Sequence, residues 1–326
     1  MSLKTLPNPL SQPQRLALGE AGILYQPPVL RSPNPADSTL RFGLIADPQY
    51  ADADPDVENN LYYRHGLCKL SSAISALNDL SLDFVATLGD LVDRQWSSYS
   101  ELLPRYDALH HPHVAVIGNH DAQVISEHLA AHTPPLGLPK SYYHFRLSGY
   151  RFLVIDGNDI SLYCNAGNGD DLQQAREQLD ELIAQQQPQA QRWNGAVGEK
   201  QLAWIEQNLQ QAQALGETVI VFGHYPLAPL KKHILWNGEA VADLLCRYQV
   251  RAYFAGHDHR GGYYRRGNTD FITLKGMLDG PDNVPFAVAE LNGNRLIITG
   301  FGGEISRILP LSHSEPLHEV DSESRL

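Results

Sequence analysis

Short apolar segments alternate with amphipathic ones along most of this chain. Runs rich in β-branched or aromatic residues, bounded by Gly or Asp, are typical of buried strands and cover residues 41–46, 83–88, 113–118, 150–156, 218–223 and 250–256. Between them, apolar residues at spacings near three and four predict helices within 61–80, 172–183, 202–209 and 241–248. After Gly262, strand-like runs follow one another directly, at 271–276, 285–291 and 295–301. This order predicts an α/β core closed by antiparallel strands.

The two ends of the chain differ from this core. Residues 1–38 hold seven of the 21 prolines, and we expect an irregular N-terminal arm because proline fixes φ and lacks an amide donor. We expect one domain over 39–310 and a flexible acidic tail over 311–326, where little could be buried. The polar segment 157–170 is long for a loop in a compact domain, which favours a binding loop or a lid and leaves its role open.

Composition narrows the range of partners and the location. The 326 residues include 25 Lys and Arg against 37 Asp and Glu, and this net charge of −12 argues against a nucleic-acid polymer as partner. We expect a cytoplasmic protein without membrane attachment, because no apolar run approaches roughly 18 residues and no signal-peptide pattern is present. The three widely spaced cysteines predict reduced thiols rather than disulfides or a zinc–thiolate site. The sequence leaves the oligomeric state open.

Residues that can bind metal ions follow five of the predicted strands. In chain order they are Asp47 and Gln49, then Asp90, then Asn119 and His120, then His224, and finally His257 and His259. Ligands of open α/β sheets bind beyond the carboxyl ends of the strands, so we expect these side chains to converge on one crevice. Four of the five groups directly follow a glycine, which permits a tight turn where the backbone approaches an ion.

The chemistry of these residues predicts a site for two ions. Carboxylate, amide oxygen and imidazole together suit borderline-hard divalent ions such as Mn²⁺, Fe²⁺ or Zn²⁺. Seven candidate ligands are too many for one tetrahedral zinc, and they suit two ions that share Asp90 as a bridge. Taken singly, each histidine could be structural and each aspartate a turn residue or helix cap. The same kind of residue at five strand ends favours the metal site.

Five short blocks in this set resemble those of the calcineurin-like metallophosphoesterase superfamily, namely DPQ (47–49), GDLVD (89–93), GNHD (118–121), GH (223–224) and GHDH (256–259). The resemblance implies an αββα sandwich, in which two mixed β-sheets are flanked by helices. It also implies one ion held by Asp47, Gln49, Asp90 and His259. A second ion would be held by Asp90, Asn119, His224 and His257. His120 would act on the phosphoryl group as an acid or oxyanion donor, oriented by Asp93.

Gln49 departs from most of this superfamily, which has His at the equivalent position. An amide oxygen is a harder and weaker donor than imidazole, so we expect manganese rather than iron or zinc. The same variant, together with segments 41–67 and 193–263, resembles the manganese-dependent ADP-ribose/CDP-alcohol diphosphatases. That resemblance implies a small nucleotide substrate, ADP-ribose or a CDP-alcohol such as CDP-choline or CDP-glycerol, cleaved at its pyrophosphate to release a nucleoside monophosphate.

Three alternatives use the same fold. The same metal centre could serve a phosphomonoesterase or a cyclic-nucleotide phosphodiesterase. A binding module that has lost catalysis is a third reading, which the intact ligand blocks disfavour.

Several further residues are candidates for substrate contacts. Arg94 follows the second block and could bind phosphate, with a solvated loop arginine as the alternative. Tyr50, Arg64 and His65 could stack on a base or bind phosphate, or could simply pack around the start of a helix. Asn194 could present its amide to substrate or serve as a turn residue beside a glycine. A run of histidines without Asp or Cys partners predicts only a surface cluster, at His110, His111 and His113.

Overall fold

The computed structural model describes residues 39–128, 141–163, 169–292, 295–310 and 318–320. The predicted N-terminal arm at 1–38 lies outside the described residues. Within them, no helix has the length and apolar character needed to cross a membrane.

The described residues form fifteen strands and six α-helices. The strands are β1 (Leu40–Ile45), β2 (Phe84–Thr87), β3 (His113–Ala115), β4 (Tyr143–Leu147), β5 (Tyr150–Val154), β6 (Ile160–Ser161), β7 (Gly195–Ala196), β8 (Thr218–Phe222), β9 (Ala252–Ala255), β10 (Arg260–Arg266), β11 (Thr269–Lys275), β12 (Phe286–Asn292), β13 (Arg295–Phe301), β14 (Ser306–Pro310) and β15 (His318–Val320). The helices are α1 (Gly66–Asn78), α2 (Ser97–Tyr106), α3 (Asn119–His128), α4 (Gly169–Ala184), α5 (Glu199–Leu215) and α6 (Gly238–Arg247). A single 3₁₀ turn, Tyr63–His65, precedes α1.

The first sheet has seven strands in the order β15-β14-β13-β12-β1-β2-β3. Strands β1, β2 and β3 pair in parallel. Strands β12 to β15 pair antiparallel with one another, and β12 pairs antiparallel with β1. The predicted closure of the α/β core by antiparallel strands is therefore confirmed. Strand β15 lies inside the predicted tail, where its backbone pairs with β14, so these three residues are not a free tail. The flexibility of the remaining tail residues stays a prediction.

The second sheet has six strands in the order β10-β11-β9-β8-β5-β4. Its central strands are parallel, and β4 and β10 pair antiparallel at the two edges. A separate two-stranded pair joins β6 to β7. Part of the predicted loop at 157–170 is thus a strand, because Ile160 pairs with Ala196, and the described segment resumes as α4 at Gly169.

The inner faces of the two sheets meet in an aromatic core. Phe42 of β1 stacks on Phe84 of β2 with ring centroids 5.0 Å apart, and it meets Phe152, Phe222 and Phe254 of the second sheet edge-on. All five rings are fully buried, and stacked and edge-to-face pairs add to the stabilisation from buried area. The side chains of both sheets alternate between this core and the outer helical layers.

Helices cover the outer face of each sheet. Apolar residues of α1 and α2 pack on the first sheet, and those of α5 and α6 pack on the second. Helix α5 ends where Gly216 adopts φ 67°, a left-handed conformation that glycine enters without steric cost. The αββα sandwich expected from the sequence is therefore confirmed.

His113 corrects the prediction of a surface histidine cluster. Its side chain is 6% exposed, accepts or donates a 2.8 Å hydrogen bond with the Thr87 hydroxyl, and stacks on the Tyr106 ring with centroids 4.1 Å apart. The prediction failed because His113 is the first residue of a buried strand, so its side chain points under α2. Burial lowers the pKa of His113 to about 3.

Candidate metal centre

The seven predicted metal ligands lie where five strands end. Asp47 and Gln49 follow β1, Asp90 follows β2, and Asn119 opens α3 after β3, while His224 follows β8 and the remaining two histidines follow β9. Asp47, Gln49, Asp90, Asn119 and His224 are buried. The structure therefore places these strand ends at one edge of the sandwich, as the topology rule predicts.

The backbone is strained at this edge. Four predicted ligands have positive φ, at 50° for Asp47, 44° for Gln49, 49° for Asp90 and 65° for His257, among nine such non-glycine residues in the described part of the chain. Residues with side chains rarely adopt this conformation, and it concentrates where a site demands a particular geometry. A Cβ on Gly118 would lie 2.1 Å from Asp90 Oδ1, so only glycine fits there.

Asp90, His224 and His257 form a cluster in which one candidate ligand atom of each lies within 4.8 Å of the others. His224 Nε2 lies 3.3 Å from Asp90 Oδ2 and 3.0 Å from Asn119 Oδ1. These donors match the set that the resemblance implies for the second ion. Their approach brings a carboxylate, an amide and two imidazoles into one buried space.

Neighbouring acceptors orient the imidazole rings. The backbone carbonyl of Leu88 lies 2.8 Å from His224 Nδ1, so that nitrogen donates to it and Nε2 is the nitrogen that faces Asp90. His257 Nε2 lies 3.0 Å from Asn194 Oδ1, which leaves Nδ1 as its ligand nitrogen. An acceptor on the far ring nitrogen is the usual support of a metal-binding histidine.

His259 is oriented in the same manner by a carboxylate. Its Nδ1 donates to Asp279 Oδ1 at 2.7 Å, and its Nε2 lies 3.9 Å from Asp47 Oδ1. Asp47 in turn accepts the His257 backbone amide at 3.1 Å, which joins the first and last blocks. Nε2 of His259 therefore faces the carboxylate with which it is expected to share an ion.

Gln49 tests whether a metal ion fits here. Its amide nitrogen donates to Asp93 Oδ2 at 3.2 Å, which directs the amide oxygen away from Asp93. That oxygen, Oε1, is buried and has no hydrogen-bond partner. A buried acceptor without a partner is costly, and a cation would satisfy it. The residues present therefore fit divalent ions held by oxygen and nitrogen donors.

The electrostatics give two of the ligands, Asp90 and His257, suitable protonation states. His224 differs: burial would lower its pKa, but the Asp90 and Asp47 carboxylates raise it to about 9, so a bound ion would have to displace a proton there. Burial alone would raise the pKa of Asp90, but His224 and His120 hold it well below its usual range. Burial and the nearby His224 lower the pKa of His257 well below its ordinary value, so that imidazole is neutral. Burial raises the pKa of Asp47 to about 6. Metal binding requires ionised carboxylates and neutral imidazoles, and Asp90 and His257 meet this requirement at neutral pH.

His120 lies at the open side of this cluster. Its backbone amide donates to Asp90 Oδ1 at 2.9 Å, and its ring Nδ1 lies 3.0 Å from Asp93 Oδ1. Burial would lower the pKa of His120, but the Asp90 and Asp93 carboxylates raise it to about 9. The ring is thus held as a proton donor with about a third of its surface exposed.

The five predicted substrate contacts are distributed differently. Tyr50 is 7% exposed and packs in the core cluster outside the first sheet, so its contacts are those of the packing alternative. Arg64 is exposed and pairs with Asp52 and Asp54 of the same loop. His65 Nδ1 lies 2.6 Å from the Pro281 carbonyl. Substrate binding by these three residues stays a prediction.

Arg94 and Asn194 lie nearer to the candidate ligands. Arg94 is exposed, follows Asp93 directly, and places its guanidinium 4.4 Å from the Tyr63 ring centroid. Asn194 is fully buried and supports His257, and its amide nitrogen donates to two backbone carbonyls. The sequence placed Asn194 in the site but not in this supporting role.

Two carboxylates of the site were not singled out from the sequence. Asp121 is buried and accepts hydrogen bonds from the Leu91 and Gly118 amides and the Tyr99 hydroxyl, which fixes the second and third blocks together. Asp279 supports His259. Asp121 was visible as the last residue of the third block, whereas nothing local marks Asp279.

An αββα sandwich whose strand ends bring carboxylate, amide and imidazole donors together defines a metal-dependent phosphoesterase. The model of the Calcineurin-like phosphoesterase family matches residues 40–261, and the chain belongs to this family of hydrolases.

Similar proteins agree with this assignment. The chain is 30% identical to a manganese-dependent ADP-ribose/CDP-alcohol diphosphatase from Arabidopsis thaliana, over 79% of this chain and 93% of that protein. It is 26% identical to the protein of the same name from Homo sapiens, over 88% and 98% of the two chains. Among solved structures, a dimetal phosphatase from Danio rerio superposes with a TM-score of 0.73 at 26% identity, covering 84% of this chain and 99% of that one.

Proposed function

We propose that this protein hydrolyses the pyrophosphate bond of a nucleoside-diphosphate-linked small molecule, ADP-ribose or a CDP-alcohol such as CDP-choline or CDP-glycerol. The products would be a nucleoside monophosphate and a phosphorylated second product. The observation that carries the proposal is the unpartnered, buried Oε1 of Gln49 among oriented histidines, because this amide oxygen favours the manganese named in the relatives.

Two ions would be held by the residues that the sequence indicated. Asp47, Gln49, Asp90 and His259 would bind the first. Asp90, Asn119, His224 and His257 would bind the second. A pair of divalent ions, when bound, supplies a hydroxide nucleophile at neutral pH and neutralises charge on the phosphoryl group.

The chain's own groups then account for proton transfer and orientation. His120, with its Nδ1 proton donated to Asp93, presents its other ring nitrogen as a proton donor to the departing phosphate oxygen. Asp93 fixes this ring and, through Gln49, the direction of a ligand oxygen. Asn119 reaches His224 from the start of α3 and would add a polar contact beside the phosphoryl group.

A substrate panel tests the proposal. Initial rates are compared for ADP-ribose, CDP-choline, a cyclic nucleotide and an aryl phosphate, each with Mn²⁺, Mg²⁺ and Zn²⁺. The proposal expects the first two substrates to be cleaved fastest, with Mn²⁺ giving the highest rate. A preference for the last two would instead favour the phosphomonoesterase or cyclic-nucleotide alternative, and bound metal without any hydrolysis would favour a binding module.

Asp90→Asn tests the shared ligand. We expect loss of activity, because an amide cannot supply the charge that two ions share. Asp83→Asn is the matched control, since Asp83 is a carboxylate at the opposite end of the same strand, bound to the Arg41 amide. Full activity of Asp90→Asn with metal retained would contradict the two-ion site, as would equal losses in both variants.

A further inference from the structure

Lys69 is a buried lysine whose ammonium group contacts a single distant segment. The side chain leaves α1, is 2% exposed, and donates to the backbone carbonyls of Met277 at 2.8 Å, Asp279 at 3.1 Å and Gly280. An ammonium group has three donors, so these carbonyls use its whole hydrogen-bonding capacity. A buried cation is costly unless it is satisfied in this way, so three of the four carbonyls of residues 277–280 are held by Lys69. The fourth, that of Leu278, accepts the Tyr62 amide at 3.1 Å, and the Gly280 amide donates to the Asn60 carbonyl.

The same segment is joined to the first ligand loop by its amides. The amide of Met277 donates to the Ala46 carbonyl at 3.0 Å, and that of Leu278 donates to the Asp47 carbonyl at 3.0 Å. Three of its carbonyls are thus bound by Lys69 and two of its amides by the end of β1. The segment is held between α1 and a predicted ligand.

Helix α1 also lies directly against that loop. A Cβ on Gly66, the first residue of the helix, would lie 2.6 Å from the Pro48 carbonyl, between the two predicted ligands of this block. The helix start and the loop are thus in close contact, and Lys69 leaves the same helix three residues after Gly66. The lysine therefore belongs to a helix that packs directly against the ligand loop.

Asp279 connects this segment to the candidate ligands. Its carboxylate holds His259 Nδ1 at 2.7 Å, and its backbone carbonyl is one of the three that Lys69 binds. A carboxylate on the far nitrogen fixes the tautomer and orientation of a ligand imidazole and raises its basicity. The direction of this carboxylate depends on the backbone that Lys69 holds.

We infer that Lys69 and Asp279 act as one positioning unit, which sets the affinity of the ion position formed by Asp47, Gln49 and His259. The inference rests on the metal binding in the proposed function. The simpler role of Lys69 is to stabilise the fold without any preference for one ion.

The test measures metal binding rather than hydrolysis. Mn²⁺ is titrated into the metal-free chain, and the free ion is measured by its solution electron paramagnetic resonance signal. Asp279→Ala is expected to weaken one of two bound ions by about 10- to 100-fold and to leave the other unchanged. Lys69→Met is expected to lower the affinity for the same ion. The double variant should lose no more affinity than Asp279→Ala alone, because Lys69 acts on the ion position through Asp279.

Two further variants separate positioning from stability. Arg151→Met removes another buried cation, one that binds Glu217 and Asn208 in the opposite helical layer, and it should lower the melting temperature without changing Mn²⁺ affinity. Asp279→Asn keeps an acceptor for His259 and should restore most of the affinity. If Lys69→Met does not fold, Lys69→Arg is used instead. The planar guanidinium group of arginine cannot bind the three carbonyls in the geometry that the ammonium group of lysine allows.

Several results would overturn the inference. They are unchanged Mn²⁺ binding in the Lys69 or Asp279 variants, equal weakening of both ions, additive losses in the double variant, and the same loss in Arg151→Met. A chain that shows the expected binding pattern but cleaves neither ADP-ribose nor CDP-choline would overturn the proposed function and support the positioning unit. Hydrolysis of these substrates by the parent, together with unchanged Mn²⁺ affinity in the Lys69 and Asp279 variants, would support the proposed function and overturn the positioning unit.

Discussion

The carboxylate of Asp93 joins a predicted metal ligand to the predicted proton donor. Its Oδ2 accepts the Gln49 amide at 3.2 Å, and its Oδ1 lies 3.0 Å from His120 Nδ1. In Asp93→Asn one of these oxygens becomes an NH₂ group. This new donor must then face another donor, either the NH₂ group of Gln49 or the Nδ1–H group of His120. Either Gln49 rotates and turns its nitrogen toward the ion, or His120 loses the partner that orients its ring.

The size of the effect follows from the bond that is lost. A hydrogen bond to a charged group contributes about 1.5–3 kcal/mol, which corresponds to about 10- to 150-fold in an equilibrium constant. If Gln49 rotates, we expect a loss of this size in the affinity for one Mn²⁺ ion. If the mismatch falls on His120, we expect the loss in kcat, where proton transfer contributes about 10²–10⁴-fold.

Two measurements on the same preparation separate these cases. Mn²⁺ affinity reports on Gln49, and kcat on ADP-ribose at saturating Mn²⁺ reports on His120. His120→Ala is the matched control, since it should lose rate while keeping both ions. If Asp93→Asn kept both the Mn²⁺ affinity and the kcat of the parent, the bridging role of this carboxylate would be refuted.

Three further substitutions test other parts of the structure. Gln49→His should weaken the dependence on Mn²⁺ relative to Zn²⁺, and an unchanged metal profile would contradict the donor argument. Gly118→Ala should lower kcat/KM by about 10²-fold, since its Cβ would lie 2.1 Å from Asp90 Oδ1 and displace it, whereas Gly262→Ala, with open space around it, should be neutral. His113→Gln should reduce acid sensitivity, because the folded state keeps this ring neutral to about pH 3 while the unfolded chain protonates it near its ordinary pKa of 6.5. The unfolded state then binds the extra proton, so urea titrations should show the parent losing about 2 kcal/mol more than the variant between pH 7 and 5, and parallel losses would disprove this cause.

The strand order and the ligand set could be predicted because both depend on local patterns. A buried strand reads as an apolar run, and the residue that follows it must lie at the sheet edge, as Asp90 does after β2 and His224 after β8. Helix α3 was not predicted from the sequence. Its first turn holds Asn119 and His120, and these polar residues interrupt the apolar spacing that would indicate a helix.

The supporting residues could not be predicted because their contacts depend on the folded chain. Lys69 lies 208 to 211 positions from the carbonyls that it binds, and neither end has a distinctive local pattern. Asp279 lies four residues after the end of β11 with nothing local to distinguish it, and only the fold brings it to His259. Asn194 reads as a turn residue, and its support of His257 appears only once α5 and the second sheet are assembled.

The strained backbone explains how the donors are held in place. Each positive φ at Asp47, Gln49 or Asp90 costs on the order of 1–3 kcal/mol and persists only where surrounding bonds over-determine it. Those bonds are present: the backbone amide of Gln49 donates to the Asp90 carbonyl at 2.7 Å, and the backbone amide of His257 donates to Asp47 Oδ1. Asp121 adds a buried carboxylate that accepts two more amides of these blocks. The ligand carboxylates of Asp47 and Asp90 are part of this network, since each accepts a backbone amide of a neighbouring block. Asparagine keeps an acceptor oxygen at these positions, so Asp→Asn variants should leave the neighbouring ligands in place and report on metal binding, whereas Asp→Ala variants should also disturb the loops.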